Sequence, residues 1–274
     1  MKRHDIYTLP ILIWLSLFFT IPLSITVIMS FMSSTPYGGF TLPFTVGNYV
    51  EIMKGRILAI LWRTIWISAL STLITLGLSL PVSFFMATSK WKNLLLMATI
   101  IPFWTNFIIR IFAWIFLLGN NGMLNNILIQ LGIVKNPITF LYNSWAVVVV
   151  IVYTYLPYMI LPIYSAMEKF DFSMIDAAMD LGATKIRAIF KVMFPSIKGG
   201  ITAGILFVFI PALGSYAIPE LVGGRDSVML GNLIAWEITT ARNWPYATAL
   251  SNILFVSTAL ALFLYLKIQG SDGK

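Results

Sequence analysis

Six stretches of the chain stay apolar for long enough to cross a bilayer. No charged residue occurs from Ile6 to Val50, from Thr64 to Ser89, from Asn136 to Met167, from Gly199 to Pro219 or from Asn243 to Leu266. A sixth stretch, from Asn93 to Gly119, is interrupted only by Arg110. A spanning helix needs about 20 apolar residues. The pattern predicts helices near 8–32, 62–88, 94–118, 144–167, 199–219 and 246–267 within one membrane domain over 1–274. The first follows the charged start MKRHD as a signal peptide would, but its apolar run is too long and no clear small-residue cleavage site follows.

Between the fourth and fifth stretches the pattern changes. Residues 175–195 read IDAAMDLGATKIRAIFKVMFP. Ser173 is expected to cap a short helix, with Asp176 in its positive first turn. Gly182 is expected to end that helix in a left-handed cap. A second helix is expected to begin near Thr184, with Ile186, Ile189, Phe190 and Met193 at helical spacing and Lys185, Arg187 and Lys191 off that stripe. Pro195 should then stop or kink the chain. Ala177 and Ala178 have almost no side chain, so another surface can approach their backbone. By physics alone the segment is either a docking surface or a structural loop lying on the membrane.

Six spans put both termini on one side. With the termini inside, the inner loops hold Lys90, Lys92, Lys169, Lys185, Arg187, Lys191 and Lys198, and the tails add Lys2, Arg3, Lys267 and Lys274. The outer loops hold Lys54, Arg56, Arg63, Lys135, Arg225 and Arg242, so 11 basic residues face 6 and the termini are predicted cytoplasmic. Arg110 falls about 27 Å along a helix from Lys92, near the outer edge. There it either snorkels, pairs and supports packing, or lines a solute path.

Composition narrows the chemistry. The chain is 59% hydrophobic and 10% charged, against roughly 25% charged in a soluble domain. It has no cysteine and a single histidine, His4, which leaves no thiolate chemistry, no histidine-based metal site and no catalytic dyad. The net charge of +8 reads as membrane-side anchoring rather than nucleic-acid binding. No phosphate-binding glycine loop is present, so any ATP must be bound elsewhere. An intramembrane enzyme would need facing ionisable groups, and the spans offer only Arg110. A passive channel would need no cytoplasmic docking helix.

Asp176-Ala177-Ala178, then Gly182, then Val192-Met193-Phe194-Pro195 resemble the EAA motif of permease subunits from binding-protein-dependent ABC importers. The spacing fits without a gap, with Asp for Glu, Val for Ile and Phe for Leu as departures. The resemblance implies an all-α membrane protein of six transmembrane helices, with a cytoplasmic coupling helix between the fourth and fifth. Its coupling segment is 171–195, and Asp176, Ala177, Ala178, Gly182, Ala183 and Pro195 would seat in a groove of a cytoplasmic ATPase. IIPFWTNFIIRIFAW at 100–114, YLPYMILPIYSAMEKFD at 155–171, FIPALGSYAIPELVGG at 209–224 and MLGNLI at 229–234 resemble the polyamine (spermidine/putrescine) branch, nearest its B-type permease. The implied partners are a C-type permease, two copies of an ATPase that binds ATP and Mg, and an extracytoplasmic polyamine-binding protein. The implied location is a bacterial inner membrane. Thiamine, ferric ion, an oxyanion or an opine are alternative solutes.

A polycation fits the residues only in part. No span interior contains a carboxylate, and Glu51, Glu220, Asp226 and Glu237 in the outer loops are outnumbered by basic residues, so no acidic funnel is evident. Aromatics remain: Trp104, Tyr153, Tyr155, Tyr158 and Tyr216. A ring face attracts an ammonium by about 0.5–2 kcal/mol, although each ring can equally be packing or interfacial. Glu220 follows Pro211, Gly214 and Pro219, a run expected to break the fifth helix, and broken membrane helices are tolerated where they line a cavity or are buried in protein. Its carboxylate can meet an amine or pair with Arg225 or Arg110. Asn106 can hydrogen-bond solute or cap a helix contact.

Overall fold

The computed structural model describes residues 5–35 and 37–271; Lys2, Arg3, His4 and Lys274 lie outside them. The chain is mostly helical. In order it forms α1 (Asp5–Ser30), a two-residue antiparallel pair β1 (Ser33–Ser34) and β2 (Phe40–Thr41), α2 (Gly47–Ile52), α3 (Arg56–Thr88), α4 (Lys92–Ile100), α5 (Phe107–Leu118) and α6 (Met123–Gln130). There follow α7 (Ser144–Glu168), α8 (Ser173–Asp180), α9 (Lys185–Ala188), α10 (Phe194–Ser196), α11 (Lys198–Leu213), α12 (Ala217–Val222), α13 (Leu230–Thr239) and α14 (Trp244–Ser271). Four helical stretches among the described residues are long and apolar enough to cross a membrane: 10–30, 56–88, 107–130 and 144–168. The pair 185–196 and 198–213 would make a fifth, bent by 72°.

Two expected spans are interrupted. The stretch 94–118 is two helices separated by a 3₁₀ turn at Ile101–Trp104. Pro102 opens that turn, Thr105 is extended, and the Asn106 side chain accepts the Ile108 N–H at 2.8 Å to start α5 afresh. The stretch 199–219 ends as a helix at Leu213 and resumes at Ala217, so the chain breaks at Gly214–Tyr216 inside the Pro/Gly run.

The chain packs as two compact units. In residues 1–62 with 230–274, α1 lies along α14, and α2 and α13 also pack on α14. A polar knot ties them. Asn252 donates to the Thr26 carbonyl at 3.4 Å, Ser30 Oγ meets Tyr49 Oη at 2.8 Å, and Asn48 donates to the carbonyls of Ser30 and Met32 at the frayed end of α1.

In residues 63–229, α7 is the central helix. It is apolar all round and is buried along most of its length, as that pattern requires. Asn143 caps it by accepting the Ala146 N–H at 2.9 Å. Its closest neighbour is α11, and glycine sets the approach. A Cβ on Gly200 would lie 2.5 Å from the Ala166 Cβ and 2.6 Å from the Pro162 oxygen, and one on Gly204 would lie 2.7 Å from the Met159 sulfur. Small residues let membrane helices come this close. Along α3 runs a buried row of hydroxyls, Ser68, Ser71, Thr72, Thr75, Ser79 and Ser83. Ser83 Oγ donates to the Ile160 carbonyl of α7 at 3.2 Å, while Thr72 and Thr75 bond back to their own helix. At the far end, Lys92 of α4 pairs with Glu168 of α7 at 3.0 Å, and Tyr164 donates to the same oxygen at 3.1 Å.

Candidate functional site

The 171–198 segment folds as a hook on the end of α7. Asp171, not Ser173, caps α8: its Oδ1 accepts the Ser173 N–H at 3.0 Å. Hydrogen bonds from Ser173 hold the Asp171 carboxyl below its ordinary value. Phe170, Ile175, Ala188, Met193 and Ile197 are buried in one cluster with Met167. Phe172 ties the segment to α3, its ring edge-on to Phe84 at 5.9 Å, and meets Phe170, just past the end of α7, edge-on at 5.4 Å.

The end of α8 is closed by two reciprocal bonds. Ala183 N–H reaches the Ala178 carbonyl at 3.0 Å and Gly182 N–H reaches the Met179 carbonyl at 2.9 Å. This is the Schellman arrangement, and it sets Gly182 at φ +87°, where only glycine sits without strain. Nothing lies within 4 Å of a Cβ built there, so Gly182 faces open space. Thr184 then caps α9 by accepting the Arg187 N–H at 3.3 Å.

The second stripe divides. A π-helical turn follows at Ile189–Met193; Met193 is buried, whereas Ile186 is 70% and Phe190 61% exposed. Leu181 at the tip is 90% exposed. Asp176, Ala177 and Pro195 are exposed and Ala178 and Ala183 are half-buried. The hook thus exposes Ala177 and Gly182, which carry little or no side chain, the apolar Leu181, Ile186 and Phe190, and the basic Lys185, Arg187 and Lys191. Exposed apolar side chains on a segment that also exposes cations make a surface suited to a protein groove.

The other candidate residues flank the two helix breaks. Trp104 ends the 3₁₀ turn, is 86% exposed and makes no ring contact among the described residues. Asn106 is the cap of α5, so the cap alternative accounts for its side-chain oxygen. Tyr153 on α7 stacks edge-on to Trp114 of α5 at 5.3 Å. Tyr158 meets Phe103 at 4.8 Å and Tyr155 at 5.9 Å, which joins the 3₁₀ turn to α7 by a ladder of rings. Tyr216 sits in the second break, 54% exposed, and its carbonyl accepts the N–H of exposed Glu220 at 3.0 Å. α12 carries Glu220 and packs on both α5 and α7. Arg110 Nε is buried and has no hydrogen-bond acceptor among the described residues; its guanidinium lies 5.9 Å from the Phe107 ring centroid. The ring partners Phe103 and Trp114 were not singled out by sequence, because aromatic residues are common throughout the spans.

No protein-family profile matches the chain. The chain is 38% identical over 254 residues to the spermidine/putrescine transport system permease protein PotB of Haemophilus influenzae, covering 92% of this chain and 89% of that protein. The chain belongs to the PotB family of permeases. The PotB protein of Escherichia coli K12 is 34% identical over 254 residues, covering 92% of each chain. PotB-family membership agrees with the fold. A permease chain of a bacterial ABC transporter that imports the acidic polysaccharide alginate superposes with a TM-score of 0.74 at 16% identity, covering 99% of this chain and 98% of that one. A chain of the MetNI methionine ABC transporter in an inward-facing conformation gives 0.59 at 16% identity, covering 81% of this chain and all of that one. The architecture is therefore the ABC-permease fold.

Proposed function

We propose that the chain is one permease subunit of an ATP-driven importer of spermidine and putrescine. The observation that carries this reading is the 38% identity with a spermidine/putrescine permease over 92% of the chain. The chain crosses a bacterial inner membrane six times, through α1, α3, the broken α4–α5 pair, α7, α11 and α14, with both termini in the cytoplasm. The cytoplasmic hook is the coupling helix. Asp176, Ala177, Ala178, Gly182, Ala183 and Pro195 form the part that enters a groove of the ATPase. Its capping and packing support the reading: α8 is capped at both ends and its base is buried against Met167, an arrangement suited to passing a displacement to α7. A C-type permease completes the path, two ATPase copies bind ATP and Mg and do the hydrolysis, and an extracytoplasmic binding protein delivers the solute.

The path in this subunit runs past Trp104, Asn106, Tyr153, Tyr216 and Glu220, at helix breaks where rings and one carboxylate meet a passing ammonium weakly enough to release it. The test is uptake of labelled spermidine and putrescine by cells that lack their own polyamine importers and express the full complex. ATP-dependent accumulation that disappears without this subunit supports the assignment. Accumulation of a different solute, with neither polyamine taken up, rejects it.

A further inference from the structure

α4 is mostly apolar, yet none of its residues is buried. Between it and the C-terminal end of α3 runs a groove of about 420 Å³, within the roughly 300–1,000 Å³ range of ligand pockets. Its walls are Pro81, Val82 and Phe85 of α3 and Leu95, Ala98 and Thr99 of α4, with buried Met86 beside them. No charged residue lines it. Thr99 Oγ turns back to its own helix and donates to the Leu95 carbonyl at 2.9 Å, so the groove offers hydrocarbon. Val82 and Phe85 are exposed, which leaves it open on the outside of the bundle.

One end of the groove is cationic. Ser89-Lys90-Trp91 joins α3 to α4, and Lys92 opens α4. The turn is ordered: Ser89 Oγ accepts the Trp91 N–H at 3.1 Å, and the Trp91 carbonyl accepts the Leu95 N–H at 3.0 Å. Lys92 is paired with Glu168 at 3.0 Å. Lys90 is exposed and has no ion pair among the described residues. The α3 lining lies about 3–10 Å along the helix axis from the last residue of α3, so the turn closes one end of the groove. On the topology proposed above, that end faces the cytoplasm. The exposed indole of Trp91 suits the headgroup level there.

We propose that this groove is a site for an anionic phospholipid of the inner leaflet. One acyl chain lies along Val82, Phe85, Leu95 and Ala98, and the Lys90 ammonium meets the phosphate. Basic residues just cytoplasmic of a spanning helix attract anionic lipids. A helix of another subunit would fill the groove but leave the charge of Lys90 unanswered. The site goes beyond solute import and holds whichever solute is carried.

Photolabelling tests it. The full complex is placed in phosphatidylcholine nanodiscs with a small fraction of a phosphatidylglycerol probe that carries a diazirine in the upper half of one acyl chain. Light expels nitrogen and leaves a carbene, which inserts into a nearby C–H bond, and mass spectrometry maps the adducts. Groove residues should be labelled saturably, about fivefold above a matching phosphatidylethanolamine probe, and unlabelled phosphatidylglycerol should compete. Lys90→Gln should bring the two probes level, and Lys90→Arg should keep the preference. Equal labelling of the unaltered protein by both probes overturns the site and leaves ordinary bilayer lipid. A preference that survives Lys90→Gln overturns the role of Lys90. Absence of groove adducts in the assembled complex overturns the proposal in favour of coverage by another subunit.

Discussion

Replacing Gly182 isolates the geometry of the 171–198 hook. Its φ of +87° costs an L-residue roughly 1–2 kcal/mol, because Cβ crowds the following carbonyl. A Cβ at this position meets nothing within 4 Å, so Gly182→Ala adds no clash inside the chain and the cost is conformational alone. The free hook can shed that strain by unwinding the Ala183–Ala178 and Gly182–Met179 bonds. Docking must then re-form the turn, so the strain reappears as lost affinity for the ATPase. At about 1.4 kcal/mol per decade, 1–2 kcal/mol corresponds to roughly 5- to 30-fold weaker binding. Gly182→Asn should lose less, since Asn tolerates the left-handed region. Gly182→Leu should lose more, because its side chain projects into the space the groove would occupy. The assay is titration of labelled ATPase onto the permease in nanodiscs, with stimulated ATP hydrolysis read in parallel. Permease insertion should not change, since the turn is exposed. Wild-type affinity and stimulation in both Gly182→Ala and Gly182→Leu would refute the argument.

Three further outcomes are expected. Gly200→Ala should destabilise the permease by about 1–3 kcal/mol through overlap with Ala166 and Pro162, whereas Gly199→Ala, whose Cβ meets nothing within 4 Å, should be near neutral; thermal unfolding in detergent compares them, and equal melting shifts would count against the α7–α11 contact. Cysteines placed in this cysteine-free chain at Ala183 and at Asp226 should label from opposite faces of the membrane; Asp226 is exposed while neighbouring Ser227 is buried and unsuitable, and labelling of both from outside would reject the topology. Glu220→Gln should slow polyamine uptake about tenfold and leave basal ATP hydrolysis intact, since a charge-assisted contact is worth roughly 1.5–3 kcal/mol; unchanged uptake would remove Glu220 from the path.

The hook was legible because its determinants are local. Gly182 as the left-handed cap and a second helix starting near Thr184 are read from a few neighbouring residues, and both stand in the structure. Ser173 misled for the same reason: Asp171, two residues earlier, offers a charged acceptor and takes the cap. The break at Gly214–Tyr216 followed from its prolines and glycine, but the break at Thr105 did not, because a single Pro102 followed by an apolar run reads as a continuous helix. The π turn at Ile189–Met193 has no composition of its own, so the sequence did not announce it. The buried hydroxyl row of α3 is hidden by the apolar average of that span.

The central claim is that this chain conducts polyamines inward at the expense of ATP hydrolysed by another subunit. The most direct measurement is accumulation of labelled spermidine in proteoliposomes holding the purified complex, with ATP on the ATPase side and the binding protein on the other. The account predicts accumulation that requires ATP, the binding protein and this subunit, and that unlabelled putrescine competes away. Absence of spermidine and putrescine accumulation, while the same vesicles accumulate another solute, would contradict it.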